Sequence, residues 1–191
     1  MGWLSIFMFL IVALSGITAN ILKNAKEKDL QFVKDDKTIL IFRILMPGSV
    51  IVAFLVAWID PWKFSWDSSN LFWLDCISAI LFILGMALRW GAILSLKRAF
   101  TVKVSILKDH KLKKDGLYKW VRHPSYTGMY IYGLGYALSF HSILCIVIII
   151  SAVWFSTYSR ILVEEEVLES HFGKAYLEYK TKTWKLFPGI Y

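Results

Sequence analysis

Five long apolar blocks, separated by polar segments, run along the chain. They extend from Trp3 to Leu22, Ile39 to Ile59, Leu71 to Leu96, Ser125 to Phe140 and Ile143 to Leu162. A helix needs about 20 apolar residues to cross about 30 Å of hydrocarbon. The first three blocks can cross even when tilted, and the last two are tighter. The pattern therefore predicts an all-α integral membrane protein with about five transmembrane helices.

Only His141 and Ser142 separate the last two blocks, which predicts an antiparallel hairpin. One helix through both blocks would be far too long for a bilayer, and the Gly-rich stretch before the turn allows the chain to reverse. Gly133 and Gly135 form a G-x-G inside a membrane helix rather than after a strand. Helix packing is therefore the expected purpose of this pair, not nucleotide binding.

The distribution of basic residues predicts the orientation. The segments 23–37, 97–122 and 160–191 hold nineteen Lys and Arg, whereas residues 60–70 hold only Lys63. Lys and Arg are retained on the cytoplasmic side of membranes. We therefore expect the N-terminus outside and the C-terminus in the cytoplasm, in agreement with an odd number of crossings. An aromatic belt is expected where the second and third spans leave the outer leaflet, at Trp58, Trp62, Trp66 and Trp73.

Composition favours one membrane domain over residues 1–191, with three spans in 1–96 and a catalytic region in 97–191. Hydrophobic residues make up 57% of the chain and the mean hydropathy is +0.54, above the roughly 45–50% apolar content of soluble domains. The net charge of +8 lies mainly in loops without a recognition module, which favours membrane lipid headgroups over nucleic acid as partners. Cys76 and Cys145 make no metal motif. Packing is the favoured role for both, with a disulfide left open.

Candidate chemistry begins just before the fourth span, where residues 108–128 read KDHKLKKDGLYKWVRHPSYTG. Pro124 has a fixed φ and no N–H, so it suits the first turn of a helix that begins at about His123. This span runs from inside to outside, so its N-terminal amides point toward the cytoplasm. They can there receive a carboxylate or a phosphate.

A second polar cluster ends the fifth span, where Arg160 is followed by Glu164, Glu165 and Glu166. Arg160 and Glu164 are four residues apart and share one helical face. An ordinary surface ion pair is one interpretation. However, an arginine at the membrane boundary is costly unless it faces protein or a polar cavity. Because the short turn makes the two helices neighbours, we expect Arg, Glu, His and Tyr side chains to surround one cytoplasmic pocket.

Two separated motifs carry a family resemblance. The string VRHPSYTG is preceded by GLYKW and followed by EEEVLESHFGKAYLEYKTKTWKLFP. From roughly His110 to Pro188 the chain resembles the isoprenylcysteine carboxyl methyltransferase family and its phospholipid-methyltransferase relatives. The resemblance implies a membrane methyltransferase that uses S-adenosylmethionine without a Rossmann domain and releases S-adenosylhomocysteine. It implies carboxyl O-methylation of an isoprenylcysteine-like or other lipophilic acceptor that enters from the bilayer.

The resemblance also implies a set of site residues. Arg160 corresponds to the substrate-side arginine of the family, and Arg160 and Glu164 are the candidate catalytic pair. We expect Arg160 to align the acceptor carboxylate, while Glu164 holds the cationic amino acid portion of the cofactor. His123 and the helix amides would hold the cofactor carboxylate, and Tyr118 and Tyr126 would flank its adenine or sulfonium. The cofactor-binding residues implied are His110, Leu112, Tyr118, His123, Pro124, Ser125, Tyr126 and Glu164.

Two positions depart from the family pattern. Lys103 and Lys113 replace an uncharged polar and an apolar residue, so the adenosine end is expected to be held differently. After Glu166 the tail is amphipathic, with Phe172, Tyr176 and Tyr179 near helical spacing. It predicts a helix on the inner membrane surface, either as a structural anchor or as a cover over the pocket.

Two other functions stay open at this point. Sterol-reductase-like membrane enzymes, which use a nicotinamide cofactor such as NADPH, share the RHP-x-Y start, the aromatic tail and an ending similar to KLFPGIY. This chain is shorter and carries Ser125 where they tend to have Asn. A non-enzymatic lipid-binding membrane protein would use the polar cluster only as a headgroup site.

Overall fold

The computed structural model describes residues 3–21, 30–33, 37–59, 68–97, 105–107 and 111–190, and over these ranges the fold is helical, as predicted. A short 3-10 helix at Gly116–Lys119 precedes the fourth long helix. The α-helices of the described ranges are α1 Trp3–Ile21, α2 Lys37–Ile59, α3 Ser68–Leu96, α4 Pro124–Leu138, α5 Ile143–Phe172 and α6 Lys174–Thr181.

Helices α1, α2, α3 and α5 are long and apolar enough to cross a membrane. The fourth predicted span, α4, has 15 residues, which corresponds to a rise of about 22 Å. The outward faces are apolar, and Trp58 and Trp73, two of the four tryptophans predicted to form an aromatic belt, are 77% and 65% exposed. Trp62 and Trp66 lie outside the described residues.

The polar loops add two short strands that the sequence patterns did not predict. β1 (Leu30–Val33) pairs antiparallel with β2 (Ser105–Leu107), with an irregular register between Leu30 and Phe32. Strands of three or four residues are too short for an alternation of apolar and polar positions to identify them. The pair joins two of the Lys-rich segments and satisfies backbone hydrogen-bonding groups of the two strands.

Helices α3 and α4 pack backbone to backbone. A Cβ on Gly135 would lie 2.6 Å from the backbone oxygen of Ser78, and a Cβ on Gly85 would lie 2.2 Å from the backbone nitrogen of Tyr132. The Ser78 hydroxyl donates to the Gly135 carbonyl at 2.6 Å. A Cβ on Gly133 would lie 3.3 Å from the Val153 side chain on α5. The G-x-G pair therefore serves helix packing, as predicted, and fixes α4 between α3 and α5.

The turn between α4 and α5 is longer than the two residues predicted, because α4 ends at Leu138. His141 adopts a φ of 53° in this turn, and its Nε2 lies 2.8 Å from an Asp75 carboxylate oxygen on α3. The Ser142 hydroxyl caps α5 by accepting from the Cys145 N–H. Cys76 and Cys145 are free thiols, so the disulfide left open by the sequence does not form.

Helix α5 continues ten residues beyond the predicted end of the fifth span and absorbs the start of the predicted tail helix. Its 30 residues correspond to about 45 Å, more than the thickness of the hydrocarbon core. Gly173, with a φ of 52°, ends it, because glycine adopts the left-handed region without steric cost. Phe172 thus belongs to α5, and α6 alone carries Tyr176 and Tyr179, both buried.

Candidate active site

One cavity of about 540 Å³ runs between the helices. Its polar part includes Ser125, Tyr126, Arg160 and Glu164. Ile149 also lines the cavity, eleven residues before Arg160 and so about 17 Å from it along α5. Its apolar part is lined from α1, α2 and α5 by Phe9, Val12, Met46, Val50, Ile149 and Val153. The polar cluster therefore shares one cavity with an apolar limb, formed by these six residues, that extends about 17 Å from Arg160.

The hydroxyl of Tyr126 joins the two candidate catalytic side chains. Arg160 Nε donates to this hydroxyl at 3.0 Å, and the hydroxyl donates to Glu164 Oε2 at 2.9 Å. Arg160 is only 8% exposed. The phenol therefore accepts from the cation and donates to the carboxylate, which fixes the relative positions of Arg160 and Glu164. Hydrogen bonds with an ionised partner are about twice as strong as neutral ones.

A second carboxylate, Glu165, lies behind this pair and holds the segment that leads into α4. Its Oε1 accepts from Arg122 Nε at 2.9 Å and lies 3.2 Å from His123 Nε2. The side chains of Arg122 and Glu165 are 9% and 10% exposed. Lys180 and Lys185 approach Glu165 Oε2 at 3.9 and 4.0 Å. This carboxylate therefore supplies a negative charge to a cluster of cations and orients the imidazole of His123.

The C-terminal tail closes over the same segment. Arg122 N donates to the Trp184 carbonyl at 2.8 Å, and His123 N donates to the Lys185 carbonyl at 3.2 Å. The Arg122 guanidinium also donates to the carbonyls of Lys180 and Thr183. The chain that begins α4 is thus held by the tail on one side and by α5 on the other.

Three tyrosines form the wall next to α6. The Tyr179 hydroxyl donates to the Tyr118 carbonyl at 2.6 Å, and Tyr118, Tyr176 and Tyr179 line the cavity. Burial raises the pKa of Tyr179 to about 12 and also raises the pKa of Tyr118 and of Tyr176. All three phenols are therefore neutral at physiological pH. The buried Tyr176 hydroxyl has no hydrogen-bond partner in the described part of the protein, so it can donate to a guest.

The structure brings together most of the site residues predicted from the sequence. Pro124 is instead fully buried at the first position of α4, where it sets the start of the helix. Lys113 lines the cavity and pairs with Asp115 at 3.0 Å. His110 and Lys103 lie outside the described residues. The predicted residues that line the cavity are Leu112, Tyr118, His123, Ser125, Tyr126, Arg160 and Glu164.

Sequence reasoning assigned no role to three residues of this region. In the sequence, Glu165 is only part of an acidic run, Arg89 is a charge within the third apolar block, and Tyr176 is only part of an amphipathic tail. A signal existed for Arg89, because a charge within an apolar block is costly and points to a cavity or a partner. Nothing in the spacing distinguishes Glu165 from Glu166.

Several known proteins are similar to this chain. Residues 78–170 match the isoprenylcysteine carboxyl methyltransferase (ICMT) family. The protein-S-isoprenylcysteine O-methyltransferase of Tribolium castaneum is 36% identical over 63% of this chain and 44% of that protein. The protein of the same name from Dictyostelium discoideum is 31% identical over 75% of this chain and 60% of that protein. The protein of that name from Saccharomyces cerevisiae is 38% identical over 60% of this chain and 48% of that protein.

A solved structure is also similar. The eukaryotic intramembrane Ras methyltransferase ICMT aligns with a TM-score of 0.62 and 31% identity over 78% of this chain and 52% of that one. The chain thus spans about half the length of the relatives it matches. These relatives are methyltransferases, so the reductase interpretation is not favoured. Residues 78–170, which carry α4 and most of α5, are therefore similar to the isoprenylcysteine carboxyl methyltransferase family.

Proposed function

We propose that this protein is an S-adenosylmethionine-dependent membrane methyltransferase that O-methylates the carboxylate of an isoprenylcysteine-like or similar lipophilic acceptor. The observation that carries the proposal is the Arg160–Tyr126–Glu164 arrangement in a cavity that continues into an apolar limb. A carboxylate with an apolar tail matches both parts of such a space. A headgroup site of a non-enzymatic protein would not need the limb.

The donor set fits the proposed cofactor. S-adenosylmethionine carries an ammonium, a carboxylate, a sulfonium and an adenine, and it would supply an electrophilic methyl group. Glu164 offers a carboxylate for the ammonium, and its side chain is 34% exposed. His123 and the first turn of α4 offer donors for the carboxylate. Tyr118 and the unpartnered Tyr176 hydroxyl line the same cavity, where they offer aromatic surface and a hydrogen-bond donor.

Catalysis would consist mainly of positioning. An acceptor carboxylate is already ionised at neutral pH, so no strong general base is required. Arg160 would bind this carboxylate and orient one oxygen, and Tyr126 would hold Arg160 in place through its hydroxyl. Alignment of two reactants in a site that excludes water can supply several kcal/mol of the barrier reduction.

The proposed topology places this site at the cytoplasmic face of the membrane, with five crossings and the N-terminus outside. The support is the Lys and Arg distribution and the length of α5, whose C-terminal part extends past the hydrocarbon core. The shorter α4 would be accommodated by local thinning of the bilayer or by its burial between α3 and α5. The lipophilic acceptor would reach the apolar limb from the bilayer.

The decisive experiment is calorimetric titration of detergent-solubilised protein with S-adenosylhomocysteine and, separately, with NADPH. We expect the first ligand to bind and the second not to bind. Binding of NADPH alone would favour the reductase function, and binding of neither would favour a lipid-binding protein.

Two variants test the residue roles. Glu164→Gln should weaken S-adenosylhomocysteine binding, because it removes the charge that the ammonium meets. Arg160→Ala should mainly abolish turnover of a prenylcysteine analogue. Glu166→Gln is the matched control for the first variant, since Glu166 is exposed. Full activity in both site variants would refute the residue assignment even if the cofactor bound.

A further inference from the structure

An arginine that the proposed mechanism does not use lies inside α3. Arg89 lines the cavity, and its Nη1 donates to the Ser125 hydroxyl at 3.2 Å. Among the residues described by the structure, no carboxylate forms an ion pair with Arg89. A guanidinium within a membrane span is costly unless a partner or a ligand meets it. A hydroxyl alone is a weak partner for a full charge in such a position.

Close packing fixes where this guanidinium emerges. A Cβ on Gly128 would lie 2.7 Å from the Arg89 backbone nitrogen and 3.0 Å from its Cα. The backbone of Arg89 therefore touches α4 one turn after its start. Its side chain reaches Ser125, which is adjacent in sequence to Tyr126. Arg89 thus reaches the polar part of the cavity from α3, whereas Arg160 and Glu164 reach it from α5.

The charges that line the cavity leave room for an anion at this point. Arg122 is paired with Glu165 at 2.9 Å, and Lys113 with Asp115 at 3.0 Å. Glu164 is the acidic residue of the lining, and in the proposed function it binds the ammonium of the cofactor. Arg160 binds the acceptor carboxylate in the same proposal. The positive charge of Arg89 then remains without a counter-charge among the described residues, which favours an anionic guest.

We propose that Arg89, together with the Ser125 hydroxyl, forms a second carboxylate-binding point of the cavity, separate from Arg160. The inference rests on the proposed function and deepens it. A planar guanidinium can meet a carboxylate with two parallel hydrogen bonds. The chemistry is that of a carboxylate from either of two sources, namely the amino acid part of the methyl donor or the acceptor.

The test compares two nucleosides, only one of which carries the amino acid part with its carboxylate. Wild-type protein and Arg89→Gln are titrated with S-adenosylhomocysteine and with 5′-methylthioadenosine, which lacks the amino acid part. If the carboxylate is that of the cofactor, Arg89→Gln should weaken S-adenosylhomocysteine binding about 10- to 100-fold and leave methylthioadenosine binding within about twofold. If it is that of the acceptor, binding of both nucleosides is unchanged, and KM for N-acetyl-S-farnesylcysteine rises about tenfold or more.

Lys119→Gln is the matched control. It also removes one positive charge, but Lys119 is exposed and is not among the residues that line the cavity, so this substitution should change none of these values more than about twofold. An Arg89→Gln protein that behaves like this control for both nucleosides and the acceptor overturns the inference and leaves the proposed function intact. A wild-type protein that binds no S-adenosylhomocysteine refutes the proposed function and the inference with it.

A second variant carries the test if Arg89→Gln does not yield folded protein. Arg89→Lys keeps the charge inside α3 but cannot form the two-pronged contact. We expect the same ligand to be affected, with a smaller loss of affinity. Wild-type affinity for S-adenosylhomocysteine and wild-type KM for the acceptor in Arg89→Lys would overturn the inference.

Discussion

The substitution Glu165→Gln tests whether a buried carboxylate holds the C-terminal tail against the site. Glutamine preserves the shape of the side chain but removes the charge that faces Arg122 at 2.9 Å and His123 at 3.2 Å. Removing one partner of a buried ion pair typically costs about 3–5 kcal/mol. Arg122 retains its hydrogen bonds to the carbonyls of Lys180 and Thr183, so we expect the lower end, about 3 kcal/mol. This corresponds to a factor of about 100 in the equilibrium between docked and released tail.

Limited trypsin digestion measures this equilibrium, because Lys180, Lys182 and Lys185 lie in the tail. Cleavage that requires release of the tail follows the population of the released state when docking is fast relative to cleavage. The rate of cleavage in the tail should therefore rise about 100-fold in Glu165→Gln. The adjacent Glu166→Gln is the control, since its exposed side chain should change stability by less than about 0.5 kcal/mol. Equal cleavage rates in the two variants would refute the assigned role of Glu165.

Three further substitutions have defined outcomes. Gly135→Ala should lower stability by about 1–3 kcal/mol because its Cβ would lie 2.6 Å from α3 backbone atoms. Gly48→Ala should not lower stability, because a Cβ on Gly48 would meet nothing within 4 Å. Equal melting temperatures for Gly135→Ala and Gly48→Ala would contradict the packing argument. Tyr126→Phe should lower kcat about 10- to 100-fold, since the lost hydroxyl bonds to two charged groups. A wild-type kcat would show that the phenol does not position the site. Tyr179→Phe should lower the free energy of unfolding by about 1 kcal/mol, because the 2.6 Å hydrogen bond to the Tyr118 carbonyl is lost. An unchanged melting temperature would contradict this prediction.

The helices were largely predictable because their signal is local. An apolar run long enough to span a bilayer is distinctive in itself, so the predicted starts at Trp3 and Ile143 agree with those of α1 and α5. Pro124 marks the start of α4 within one residue of the prediction, because a proline without an N–H belongs in a first turn. The end of α5 was not predictable in this way. Charged residues can continue a helix after it leaves the hydrocarbon, and only Gly173 stops it.

The identity of the site residues was more predictable than the hydrogen bonds between them. The resemblance pointed to Arg160, Tyr126 and Glu164, and the hairpin argument predicted that they meet. Spacing alone could not show that the Tyr126 hydroxyl lies between the other two side chains. That arrangement depends on the relative rotation of α4 and α5, which is set by packing at positions such as Gly133 and Val153.

The acidic run Glu164 to Glu166 shows why a sequence pattern alone does not assign a role to each residue of a site. Successive residues of a helix point about 100° apart, so Glu164, Glu165 and Glu166 must face three directions. Glu164 faces the cavity, Glu165 faces Arg122 and His123, and Glu166 is exposed. A carboxylate that faces a guest and one that holds the wall around it can thus be neighbours in sequence. Exchange of their roles would require a rotation of α5 by one residue, and the same rotation would move Arg160 away from Tyr126. The joint geometry of Arg160 and Glu165 therefore fixes which glutamate is free to meet a ligand.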